Sequence, residues 1–260
     1  MMTQIEAPDE GHDEGAPSRS RNVRLFIRDI LVIFLIALLA SVLIKTFLIR
    51  SFYIPSTSME QTLLVNDRII VNQLVPSLVP IKHGDVVVFR DPGGWLYPRA
   101  ETEQNPLIAS LDWVMSAIGL SASDSDDHLI KRVIGLPGDR VTCCTPLGEL
   151  TINGVPIKEP YIVIGPGDTD AATLPFDVTV PPDSLWVMGD NRYNSKDSSR
   201  NQDLPGKGFV PVDHVVGRAF VISWPVDRWS WLGNYPDVFR GVEPEQPASN
   251  APVTGAGPLG

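Results

Sequence analysis

Cysteine is almost absent from this 260-residue chain, and the two that occur, Cys143 and Cys144, are adjacent. They supply no zinc ligand set. Neighbouring Cα atoms lie about 3.8 Å apart, short of the usual disulfide separation of about 4.4–6.8 Å. The expectation is therefore two small strand residues of which one is buried, with an oxidised vicinal pair as the alternative outside the cytoplasm. Basic residues are outnumbered by acids, 21 to 31, for a net charge of −10, and they form no basic patch. Binding to phosphate backbones needs Lys and Arg to displace counterions, so no nucleic-acid partner is expected. Histidine is scarce, at four residues, and none lies near the hydroxyl cluster Ser56-Thr57-Ser58. A serine nucleophile there would need another base.

What the chain does have is one long apolar run. Residues 30–44 are continuously apolar apart from Ser41, and 25–49 extend the run with only Arg28, Asp29 and Lys45 as charges. Fifteen residues rise about 22 Å as a helix and twenty-five about 37 Å, against a hydrocarbon core of about 30 Å. The longer stretch, 25–49, is read as a transmembrane helix with its end charges snorkelling. No small-residue cleavage site follows, which separates it from a signal peptide. Arg19, Arg21, Arg24 and Arg28 lie toward its N-terminal side while Lys45, Arg50 and Arg68 lie toward the other. That bias places the N-terminus in the cytoplasm and the rest outside, as a single-pass protein.

The flanks differ from the middle. Residues 1–24 are read as a disordered cytoplasmic tail, because the first 18 carry five acids and no Lys or Arg. A Pro-, Gly- and Ala-rich stretch, 236–260, is read as a second disordered tail. Between them, 50–235 contains recurrent β-branched runs at 68–72, 85–90, 129–134, 140–142, 149–152, 177–180, 185–188 and 215–223. The Asn153-Gly154 step fits a type I′ hairpin. No helical repeat or βαβ alternation interrupts these runs, so the fold class is mainly β, an antiparallel sheet domain tethered by one N-terminal helix. Residues 91–127 look like an insertion with an amphipathic helix at 106–120. That helix either packs on the sheet or rests at the lipid interface with Trp95 and Trp113. Trp224, Trp229 and Trp231 are further candidates for membrane contact.

The chemistry is sought around Ser58. Lys131 lies in an apolar strand with Leu129 and Val133 at the same-face positions; burial there lowers a lysine pKa and makes the amine a base. A polar block, residues 189–200, follows the hydrophobic strand 185–188 and can hold another polar group in place.

Taken together, PSTSMEQTL, GDVVVF, IKRVIGLPGD and GDNRYNSKDSSR, in that order behind a membrane span, resemble the boxes of bacterial type I signal peptidase. The resemblance implies Ser58 as nucleophile, Lys131 as general base and Ser56 as an oxyanion donor beside the Ser58 N–H. It also implies Ser195 as the hydroxyl that orients the lysine, Asp197 with Arg200 as a supporting ion pair, and Asp190 with Arg132 as a second pair. Phe52, Ile54, Met59, Leu63 and Ile130 would line pockets for small side chains. The last box departs from the family pattern by an extra serine before Arg200.

The function implied is a membrane-bound serine endopeptidase that cleaves signal peptides from exported preproteins after small residues of A-x-A type, through a Ser-Lys acyl-enzyme. No cofactor and no metal are implied. The expected partners are secretory preproteins and membrane lipids, with the protein itself a monomer in the bacterial plasma membrane. A self-cleaving SOS-type repressor would need a DNA-binding domain where the span lies, and a penicillin-binding protein would need S-x-x-K, which does not occur. The remaining alternative is a membrane-tethered β module that is inactive or acts as a scaffold.

Overall fold

A computed structural model describes residues 19–96 and 127–243. Of the tail expected at 1–24, residues 1–18 lie outside the described residues and 19–24 are helical rather than disordered; the helix expected at 106–120 with Trp113 and residues 244–260 also lie outside the described residues. The chain divides into two units, Met1–Ile44 and Lys45–Gly260.

The first helix, α1, spans Arg19–Phe47. Its middle is rich in Leu, Ile, Val, Ala and Phe and contains neither Gly nor Pro, so every backbone group can pair within the helix, as hydrocarbon requires. Val23–Ile44, 22 residues with a mean hydropathy of 2.6, is long and apolar enough to cross a membrane. The helix ends earlier than expected: Ile49 is the first residue of a strand.

That strand, β1 (Ile49–Tyr53), pairs with β2 (Arg68–Asn72) from Ile49↔Asn72 to Tyr53↔Arg68. Next come β3 (Val86–Arg90), β4 (His128–Gly135), β5 (Arg140–Cys143), β6 (Leu150–Ile152) and β7 (Val155–Ile157). They are followed by β8 (Phe176–Thr179), β9 (Ser184–Met188), β10 (Val210–Pro211), β11 (Val215–Trp224) and β12 (Ser230–Trp231). The larger sheet has the order β1-β2-β11-β3-β4-β9-β10, with β12 also on β11. The smaller is β7-β6-β5-β8. Every strand pair is antiparallel, as expected of a mainly β chain. The last long strand, β11, lies between β2 and β3.

The β3 run Val86-Val87-Val88-Phe89 is buried throughout because both of its faces are covered. Val86 and Val88 join Phe52, Ile69 and Ile130 in one cluster, while Val87 and Phe89 join Leu129, Val133 and Val187 in another. A third cluster sits on the smaller sheet around Val141, Leu150, Ile152, Phe176 and Trp186. The hairpin β6–β7 turns at Asn153 (φ 52°) and Gly154 (φ 82°), with Ile152 opposite Val155, the geometry that a type I′ turn demands.

Three expectations need correction. The C-terminal tail does not begin at 236, because Phe239 and Val242 are buried in the third cluster; apolar side chains so spaced dock where the surrounding Pro and Gly suggested disorder. Trp95 is a core residue rather than an interfacial one, edge-on to Phe89 with ring centroids 5.8 Å apart. Cys143 and Cys144 form the vicinal disulfide, with Cys143 in the third cluster and Cys144 packed against it.

Candidate active site

Ser58 sits just beyond β1, in the connection to β2. Past Pro55 the chain coils into tight turns: Glu60 N–H donates to the Thr57 carbonyl (3.0 Å) and Leu63 N–H to the Met59 carbonyl (2.7 Å). Met59 and Leu63 point inward and are completely buried among Phe52, Ile54 and Ile69. They were expected to line the substrate cleft; instead they root the Ser58 turn in the core, as two apolar side chains one helical turn apart can do. A second anchor comes from the loop after β9. Asn191 N–H donates to the Ser58 carbonyl at 3.1 Å, and Asn194 Nδ2 donates to Thr57 Oγ1 at 2.7 Å.

Lys131 reaches Ser58 from β4. Its Nζ donates to Ser58 Oγ at 2.7 Å and to the Ile130 carbonyl at 2.8 Å. Ser58 is 7% exposed and Lys131 3%. Burial pushes the lysine from its ordinary 10.5 down to about 8, against an upward pull from the charges of Asp197 and Asp190. An amine so placed is partly neutral near physiological pH and can accept a proton. Ser56 Oγ stands 3.3 Å from Ser58 Oγ.

The next residue on β4, Arg132, is also buried. Its Nε and Nη2 grip Asp190 side-on at 2.8 and 2.6 Å. Its Nη1 donates to the Gly84 carbonyl at 2.7 Å, and Tyr161 lies against the guanidinium at 4.0 Å. Thr62 Oγ1 donates to the same aspartate. This pair was expected, and it ties the Ser58 turn, β4 and the end of β9 together.

The other expected pair does not form. Asp197 spends its carboxylate on Gly189 N–H (2.9 Å), Ser199 N–H (3.1 Å) and Ser199 Oγ–H (2.7 Å), capping a short 3-10 turn at Ser198–Arg200. Ser199 supplies two of those three donors, while the exposed Arg200 donates outward to the Tyr193 carbonyl at 2.8 Å. Ser195 is likewise placed differently from expectation. Its buried Oγ has no hydrogen-bond partner, and the lysine donates to the Ile130 carbonyl instead. Ser195 abuts Gly189, where a Cβ would fall 2.2 Å from Ser195 Oγ and 2.5 Å from the Ser58 carbonyl oxygen. Only glycine lets the loop approach the serine backbone so closely.

Beside the serine and lysine lies a cleft of about 250 Å³. Phe52, Ile54 and Ile130 line it as expected, together with Ser56 and Lys131. Leu96 and His128 also line it and were not foreseen. Sequence reading also missed a buried ion pair, Arg192 with Glu159, braced by Arg192 Nη1 on the Ala171 carbonyl at 2.8 Å. Arg192 was visible inside the polar block, but nothing local marked Glu159, 33 residues away, as its partner. Among the described residues no three His, Cys, Asp or Glu side chains group as a metal-ligand set.

Residues 27–224 match the family described as Signal peptidase, peptidase S26. Signal peptidase I of Mycobacterium tuberculosis is 37% identical over 251 residues, covering 90% of this chain and 81% of that protein. Signal peptidase I of Leptolyngbya laminosa is 38% identical over 193 residues, covering 74% of this chain and 77% of that protein. A signal peptidase I crystal structure from Enterococcus faecalis, 23% identical, covers 53% of this chain and 95% of its own, with a TM-score of 0.34. With most of its length matched by the family and by these relatives, the chain belongs to the signal peptidase family, peptidase S26, and is a membrane-anchored serine hydrolase.

Proposed function

We propose that this peptidase removes signal peptides from exported preproteins by attack of Ser58 with Lys131 as its general base. The observation that carries the reading is the 2.7 Å contact between Lys131 Nζ and Ser58 Oγ in a buried setting that depresses the lysine. The neutral amine takes the hydroxyl proton as Oγ bonds to the scissile carbonyl carbon. Negative charge on the carbonyl oxygen is met by the Ser58 N–H and by the Ser56 hydroxyl. The lysine ammonium then hands its proton to the departing amine, leaving an ester on Ser58. Neutral again, it deprotonates a water that hydrolyses the ester.

The cleft beside the dyad, walled by Phe52, Ile54 and Ile130, suits short side chains, so cleavage follows small residues of A-x-A type. Lys131 supplies the base and the acid, and the reaction needs no cofactor. The enzyme works as a monomer in the bacterial plasma membrane, with α1 as its single span, the N-terminus in the cytoplasm and the β domain outside. Exposed Trp224, Trp229 and Trp231 contact lipid headgroups. The net charge of −10 is unsuited to nucleic acid.

The test is cleavage of a preprotein by the full chain in detergent. Ser58→Ala and Lys131→Ala are each expected to abolish turnover, and undiminished cleavage by either would remove the dyad. Protease added to intact cells is expected to reach the β domain only where the outer face of the membrane is open to it. Digestion only after lysis of such cells would reverse the topology.

A further inference from the structure

The chain leaving β3 turns back into the cleft before it reaches residue 97. Asp91, directly after Arg90, wraps this connection around its own carboxylate. Gly93 N–H (2.9 Å) and Trp95 N–H (3.0 Å) donate to Oδ1, and Leu96 N–H (3.0 Å) donates to Oδ2. Burial opposes ionisation here, but the three amide bonds and the nearby charge of Lys196 outweigh it and hold the carboxyl below its ordinary range. Two further ties fix the turn. Trp95 is buried edge-on against Phe89, and Lys196 Nζ donates to the Gly94 carbonyl at 3.1 Å.

Trp95 thus takes the core position and Leu96 is left at the cleft. The half-buried Leu96 packs partly against the Val87–Phe89 cluster, and the rest of its surface lines the cleft shared by Phe52, Ile130 and Lys131. The bond from its N–H to Asp91 fixes the Leu96 backbone and so anchors the base of its side chain at the cleft wall. An apolar wall of this kind discriminates by about tenfold or more per methylene.

We propose that Leu96 is a specificity-determining residue that limits the size of the substrate side chain beside the dyad, and that Asp91 is the positioning residue that keeps it there. This rests on the reading that the preprotein segment before the scissile bond occupies the cleft.

The test uses the full chain in detergent and a set of preproteins with Ala, Val, Leu or Phe at the first or third residue before the cleaved bond. Leu96→Ala is expected to raise kcat/KM for Val or Leu relative to Ala by about tenfold at one of the two positions. Leu96→Phe should lower the same ratio. Asp91→Ala should shift the ratio in the direction of Leu96→Ala, and Asp91→Asn less, because its amide oxygen still accepts from Gly93 and Trp95. In the Leu96→Ala background, Asp91→Ala should add nothing further, since both act through one side chain.

An unchanged ratio in both Leu96 variants overturns the proposal, as does an equal loss on all substrates. Additive effects of the two substitutions overturn the role of Asp91. Failure of the dyad would register separately, as cleavage surviving Ser58→Ala.

Discussion

Lys131 and Arg132 are neighbours on β4, both buried, and alternation along the strand sends them to opposite faces. Arg132 meets a bidentate carboxylate, a backbone carbonyl and an aromatic ring, so its charge is matched in place. Lys131 meets a hydroxyl and a carbonyl, with carboxylates felt only at a distance, and its pKa falls to about 8. Burial alone therefore does not make a base. The difference lies in whether a counter-charge is in contact, and one strand supplies both outcomes in consecutive residues.

The strongest way to break this contrast is Lys131→Arg. A guanidinium stays protonated, so kcat on a preprotein is expected to fall by about 10⁴-fold or more, and retention of turnover would show that no neutral amine is needed. Next, Arg132→Met leaves Asp190 buried without its partner and should lower unfolding stability by about 3–5 kcal/mol. Arg132→Met with Asp190→Leu should recover much of it, as followed by denaturant unfolding. If the single variant lost no stability, Arg132 would not be the matched charge described here.

The pH profile separates the two cations without mutation. Only the neutral amine accepts the serine proton, so kcat/KM should rise with pH and level off above about 8, falling about tenfold per pH unit on the acid side. At pH 7 about a tenth of the amines would be neutral. A flat profile across this range would contradict the assignment.

The same group carries a stability signature. The lysine pKa is lower in the folded chain than its ordinary 10.5, so between about 8 and 10.5 the unfolded chain holds more protons and stability rises with pH. Lys131→Met should remove that component of the slope and raise stability most below pH 8, as measured by unfolding at several pH values. The smallest effect belongs to Arg140→Ala. Its partner Asp177 lies at the solvent face of the smaller sheet, where exposed pairs contribute little, and the melting temperature should stay close to wild type.

The burial of Lys131 was legible from its apolar neighbours, and its contact with Ser58 from the resemblance of the four motifs to the signal peptidase boxes. The central strands and the Asn153-Gly154 turn were legible too, because their signals are contained in a few consecutive positions. Strand β1 was hidden because Ile49 continues the apolar run of α1, so the boundary between helix and strand carries no break in composition. The Arg192–Glu159 pair and the docking of Phe239 and Val242 depend on partners distant in the chain. Arg200 misled for a related reason. The resemblance implied an ion pair, but Ser199, between it and Asp197, offered the carboxylate nearer donors.

The place of β11 between β2 and β3 has a consequence for biosynthesis. Ser58 belongs to the β1–β2 side of the sheet and Lys131 to the β3–β4 side, and the strand that joins those halves is the last long one to be made. Pairing of those two halves through the sheet therefore waits until the chain has been made to about Trp224. Under the proposed Ser58–Lys131 chemistry, a chain shorter than this lacks the strand that joins the two halves of its dyad.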